Sequence, residues 1–164
     1  MEPKFTIHER YSESEFVRFN RALLFNVWHL KKTIIISNIA LLIMIVTSFI
    51  AHNNMFAVGL LFFMAVFNWY IFIGTDQKAA RAYRKNKSVQ DQEFVFYFHE
   101  NQYESQSSDG SSSSVPYSTL HKIIETPTNI YIMHAPTVGT IIQKANCPDS
   151  FIGFIRDIKS RYKI

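Results

Sequence analysis

Thr33–Ala51 (TIIISNIALLIMIVTSFIA) and Met55–Ile73 (MFAVGLLFFMAVFNWYIFI) are two apolar runs of 19 residues each, parted only by His52-Asn53-Asn54. No Asp, Glu, Lys or Arg occurs from Thr33 to Thr75. A helix rises about 1.5 Å per residue, so each run reaches about 28 Å, close to the ~30 Å hydrocarbon core of a bilayer. The pattern predicts a two-helix transmembrane hairpin over 33–74, with spans at 33–51 and 55–73. A lipid bilayer is thus the first expected partner.

Basic residues crowd both outer ends of this hairpin and avoid its turn. Arg18, Arg21, Lys31 and Lys32 precede it; Lys78, Arg81, Arg84, Lys85 and Lys87 follow it. The positive-inside rule then puts both termini in the cytoplasm and the turn outside. Trp28 at one entry and Trp69-Tyr70 at the other suit the inner interface, where aromatic rings sit at headgroup level. The same cations suit anionic lipid headgroups. A short turn makes the helices antiparallel neighbours, which sets Asn38 level with Asn68. An amide in an apolar layer is costly unless paired, so a hydrogen bond between these two is expected. The same pairing sets Lys31 opposite Asp76.

The rest of the composition fits a small head on an anchor. The net charge of +4 divides unevenly: residues 1–88 hold 11 Lys/Arg and 5 Asp/Glu, residues 89–164 hold 6 and 8. The basic excess belongs to the membrane flanks, and a slightly acidic tail without a basic stripe argues against a nucleic-acid partner. Cys147 is the single cysteine, which excludes an internal disulfide. The first apolar run begins only after a polar stretch with Glu2, Glu9, Glu13 and Glu15, and no small-residue cleavage site follows it. It is expected to be an anchor rather than a cleaved leader.

Outside the hairpin the periodicities divide the chain further. Residues 1–11 read as an N-terminal strand. Ser12 with Glu15 forms a capping box opening an amphipathic juxtamembrane helix over 12–32, with Phe16, Phe19, Leu23 and Val27 on one face, expected to run on into the first span. Residues 75–92 read as a basic stalk. From residue 93 the period is two, giving strands at 93–99, 102–105, 113–117, 120–125, 130–134 and 140–143. The Ser-rich stretch 105–114 (SQSSDGSSSS) is expected as a polar loop with no core-forming residue. Pro148 opens a closing helix over 148–163 whose apolar face is Phe151, Phe154, Ile155, Ile158 and Tyr162. The expected fold class is α+β: a membrane hairpin with a small antiparallel β-rich domain over 93–164 closed by a C-terminal helix.

Four pieces of the tail carry a resemblance: Tyr117–Glu125 (YSTLHKIIE), Ile130–Ile132 (IYI), Ile141–Ala145 (IIQKA) and the closing helix. With the strand–helix–hairpin–stalk layout ahead of them, they resemble the YcxB-like family of small bacterial membrane proteins. The resemblance implies a bacterial inner-membrane location and a C-terminal domain of pleckstrin-homology-like (PH-like) shape. It implies no reaction.

The residues themselves carry no catalytic constellation: no P-loop, no G-x-S-x-G, no H-E-x-x-H, no C-x-x-C. No two histidines are three to five residues apart, as a local metal pair needs. No enzyme activity, cofactor or metal is expected. The leading expectation is a membrane-tethered binding module presenting its domain to a protein, peptide or lipid headgroup. The alternative is an immunity protein that neutralises a membrane-acting or secreted bacterial toxin. Oligomeric state is left open by two spans with no small-residue seam.

Overall fold

The computed structural model describes residues 2–26, 30–86, 90 and 92–164. Trp28, Val27 and Lys87, singled out above, lie outside the described residues. The fold is α+β: strand β1 (Phe5–Arg10), helices α1 (Glu13–Asn26), α2 (Leu30–Ile50) and α3 (Asn54–Lys85), strands β2 (Glu93–Phe98), β3 (Gln102–Ser107), β4 (Ser112–Pro116), β5 (Lys122–Glu125), β6 (Asn129–Ala135) and β7 (Val138–Gln143), and helix α4 (Asp149–Tyr162).

α2 and α3 are both long and apolar enough to cross a membrane, with mean hydropathies of 2.4 and 2.1 over their most apolar windows. His52 turns the chain between them in the left-handed region (φ 56), which histidine tolerates better than most residues. Asn53 caps α3, its Oδ1 accepting from Phe56 N at 3.4 Å. Among the described residues the large hydrophobic side chains left exposed all lie between Ile35 and Ile73, with the sole exception of Val138.

The strands form two antiparallel sheets, β1-β2-β3-β4 and β5-β6-β7. β1 pairs with β2 along its whole length, from Phe5 opposite Phe98 to Arg10 opposite Glu93. The three helices α1–α3 are therefore inserted between two adjacent strands of one sheet. The N-terminal strand is not an appendage; it is the edge that completes the domain. Period-two alternation turns Ile7, Phe96, Phe98 and Tyr103 inward, where all are buried. β6 departs from alternation, because Asn129 to Met133 are buried without a break. One face of that strand meets α1 (Phe19 to Tyr131, ring centroids 5.3 Å apart) and the other meets the first sheet (Tyr103 Oη to His134 Nε2, 2.7 Å). A strand covered on both faces reads as a continuous apolar run. α4 closes the domain by inserting Phe151, Ile155 and Ile158; Phe151 packs edge-on against Phe98 at 4.8 Å.

Two local expectations change. The Ser-rich stretch is a hairpin: Ser105–Ser107 and Ser112–Ser114 belong to β3 and β4, and only the residues between them turn. Gly110 supplies φ +86, Asp109 Oδ1 accepts from Ser111 N and Oγ, and Ser105 and Ser113 bond across the strands at 2.8 Å. Short hydroxyls satisfying one another let a polar run pair as strands. Second, Asp76 bonds Arg21, not Lys31. The expected run-on of the juxtamembrane helix into the first span falls on residues 27–29, outside the described residues.

Candidate functional site

At the junction between the apolar hairpin and the sheets several long-range polar contacts converge. α1 is its centre. On one side it lies along the C-terminal part of α3: Glu13 takes a two-pronged bond from Arg84 (2.7 and 2.8 Å), Arg21 bonds Asp76, and Phe25 stacks on Phe72 at 6.4 Å. The hydrogen bonds from Arg84 hold the Glu13 carboxyl below the usual carboxylate range and raise the guanidinium in return. Tyr83 Oη donates to Tyr11 O at 2.7 Å, which ties α3 to the end of β1. On the other side α1 is fixed to the second sheet. Glu15, buried, accepts from Asn129 Nδ2 at the start of β6 and from Arg18 at 2.7 Å; Lys122 Nζ donates to Asn26 O at 3.4 Å.

A cavity of about 450 Å³ lies between α1, α3 and the β6–β7 turn at Thr137. Leu23, Leu24, Ala79 and Ala82 line it together with Asn20, Thr75, Lys78 and Thr137. Across α1 a second hollow of about 330 Å³ holds Arg18 and Arg21 beside the Thr126–Thr128 turn. Both arginines there already have carboxylate partners, Glu15 and Asp76.

A separate polar seam closes β1 onto β7. Glu9 is 2% exposed and accepts from Gln143 N (2.7 Å), Gln143 Nε2 (3.1 Å) and Asn146 Nδ2 (3.0 Å). Burial pushes its carboxyl up to about 7, against the pull of those three donors. Tyr11 Oη accepts from Ile141 N at 3.1 Å. Cys147 donates its thiol to Gln143 O at 3.3 Å, and burial pushes that thiol up to about 12, far from a reactive thiolate. Glu125, bonded by Arg156 and Lys144, is held down at about 2.

The residues singled out in the sequence fall into three sets. Asn38 and Asn68 come together: each amide donates to the other's Oδ1 (3.1 and 2.9 Å) and also back to its own helix at Ile34 O and Met64 O. Lys31, Lys32, Arg81 and Lys85 are exposed. Lys78 leans back toward the hairpin, its Nζ 5.4 Å from the centre of the Tyr70 ring, while Trp69 and Tyr70 are both exposed. Sequence reasoning named Glu9, Glu15 and Arg21 only as part of a polar stretch, a capping box and a basic flank, and missed their contacts here. A signal existed for the first two. Glu9 shares the parity of Ile7 in its strand, and Glu15 is one turn before Phe19 on the buried helical face.

Residues 98–154 match the family model for YcxB-like protein. This C-terminal stretch is YcxB-like. It begins on the last residue of β2 and ends inside α4, so it holds β3 to β7 but neither β1 nor the three helices inserted after it. No curated protein and no solved structure matches the chain. The YcxB-like stretch supplies Asn129, Thr137 and Gln143 to the contacts above; Glu9, α1 and α3 come from outside it.

Proposed function

We propose that the protein is a multi-pass protein of the bacterial inner membrane, and that its head is a non-enzymatic, PH-like binding module held at the cytoplasmic leaflet. The observation that carries this reading is the β1–β2 pairing around the inserted helices. Strands before and after the hairpin share one sheet, so both ends of the hairpin must lie on the same side of a bilayer. An antiparallel pair of apolar helices meets that condition. The basic flanks Lys31, Lys32, Lys78, Arg81 and Lys85 favour the cytoplasm for that side. The asparagine pair supports a hairpin in lipid, where each amide needs a partner. The PH-like description rests on the arrangement of four plus three antiparallel strands closed by one C-terminal helix.

The binding role is supported by what lines the junction. The cavity between α1 and α3 is mainly apolar, includes Lys78, and has no nucleophile with an adjacent base among its lining residues. A head fixed beside the leaflet gains effective concentration for anything else held there.

Topology is tested by single cysteines in a Cys147→Ser background. In intact cells Asn53→Cys should react with an impermeant maleimide, and Ser111→Cys should react only after lysis. The reverse pattern, or a chain recovered without detergent, refutes the anchor. The binding role is tested by photo-crosslinking the full chain in native membranes. Discrete adducts to a protein or lipid support it, and uniform background labelling counts against it. Specific protection of cells from a secreted toxin would move the reading to immunity.

A further inference from the structure

The cavity between α1 and α3 ends where the apolar part of α3 ends. Its α3 wall runs from Thr75 to Ala82, two to nine residues past Ile73. At about 1.5 Å per residue this wall covers roughly 3–14 Å beyond the hydrocarbon edge, against a headgroup layer of about 5–8 Å per leaflet. The rest of the wall is Asn20, Leu23 and Leu24 of α1 with Thr137, a mainly apolar lining at a depth where water and headgroups would otherwise stand. Its volume, about 450 Å³, falls in the range of small-molecule sites.

Lys78 sets the chemistry. Arg18, Arg21 and Arg84 around the same junction are matched to Glu15, Asp76 and Glu13, but Lys78 pairs with no carboxylate among the described residues. Its side chain points back along the helix toward Tyr70, as a lysine does when its charge seeks the interface. The far rim is the β6–β7 turn, where Thr137 lines the cavity and the next residue, Val138, is 57% exposed. An apolar slot, an unmatched cation toward the bilayer and an exposed valine beside it are continuous with the lipid-facing surface of the hairpin.

We propose that this slot holds one anionic phospholipid of the inner leaflet, its upper methylenes against Leu23 and Leu24, its phosphate on Lys78 and its headgroup beside Ala79 and Ala82. The proposal rests on the anchor reading above and deepens it by naming the occupant. A bound lipid of this kind ties the β6–β7 turn to the membrane surface and fixes how the head is tilted.

The full chain is placed in nanodiscs of phosphatidylcholine with one-fifth phosphatidylglycerol carrying a diazirine high on one acyl chain, and adducts are mapped by mass spectrometry. Adducts should concentrate on residues 20–24 and 75–82. Lys78→Gln should lower the yield at these positions about fivefold, the effect of one cation near an anionic surface. Lys78→Arg should restore it, and Ala82→Trp, which fills the slot from an exposed position, should abolish it. Circular dichroism of each variant confirms that the sheets persist. Equal labelling in wild type and Lys78→Gln, or the same yield from a diazirine phosphatidylcholine in neutral discs, overturns the slot while leaving the anchor standing. A chain that never enters the discs overturns both.

Discussion

Replacing Glu9 by Gln should remove a pH dependence that the wild-type chain carries. Glu9 is buried in the seam between β1 and β7, and its carboxyl sits at about 7 rather than the ordinary 4.5. Between these values the folded chain holds a proton that the unfolded chain has released. Stability from this group is fully present below 4.5 and is lost as the pH rises through 7. The difference corresponds to at most about 2.5 kcal/mol between pH 5 and pH 8, or a fall of roughly 5–10 °C in the unfolding midpoint of a chain this size. The assay is thermal unfolding of the full chain in mild detergent, followed by near-ultraviolet circular dichroism at pH 5, 6, 7 and 8. Other groups titrate too: burial holds His134 below its ordinary value, which adds the opposite slope at low pH. The informative quantity is therefore wild type minus Glu9→Gln. That difference should shrink steadily from pH 5 to 8. If the two proteins run parallel across the range, the carboxyl is ionised throughout, and the three amide donors outweigh its burial.

Asn38→Leu alone should weaken the hairpin and Asn38→Leu/Asn68→Leu should recover most of the loss, with a coupling of about 0.6 kcal/mol and no more than about 1.7, read from a double-mutant cycle in detergent or bicelles. Cysteines at positions 21 and 76 should crosslink under mild oxidation and cysteines at positions 31 and 76 should not, which checks the register of α1 on α3. Phe98→Ala removes a ring buried among Phe96, Tyr103 and Phe151 and should cost about 3–5 kcal/mol, enough to abolish cooperative melting of the head.

The parts of the fold that were legible in the sequence are those written in local pattern. The two apolar runs, the N-cap at Ser12 (Oγ accepting from Glu15 N at 3.3 Å, the reciprocal half of the expected capping box giving way to Arg18 and Asn129) and the stripe from Phe151 to Ile158 each announce an element through its neighbours in sequence. The strands after residue 93 followed for the same reason. What stayed hidden depends on partners far away along the chain. Nothing near Phe5–Arg10 says that its hydrogen-bonding neighbour begins at Glu93, beyond three helices. Nothing near Arg21 says that it reaches Asp76, because that contact is made only where α1 packs along α3. The serines of β3 and β4 misled because strand propensity is read from side chains, and here paired hydroxyls and one tight turn do the work of branched residues. At the candidate site, the cations were visible as a set, but only the fold separates Lys78 from the arginines that already have acid partners.

The insertion of helices between β1 and β2 has a consequence for biogenesis. The first strand leaves the ribosome long before its neighbour exists, and it must wait, unpaired, until the three helices between them have been made. In the proposed anchor, a chain arrested after a single crossing would strand the two halves of one sheet in different compartments, and no head could close. Completion of the domain thereby becomes a report on correct insertion, and misinserted copies are left with an open strand edge for quality-control proteases to find.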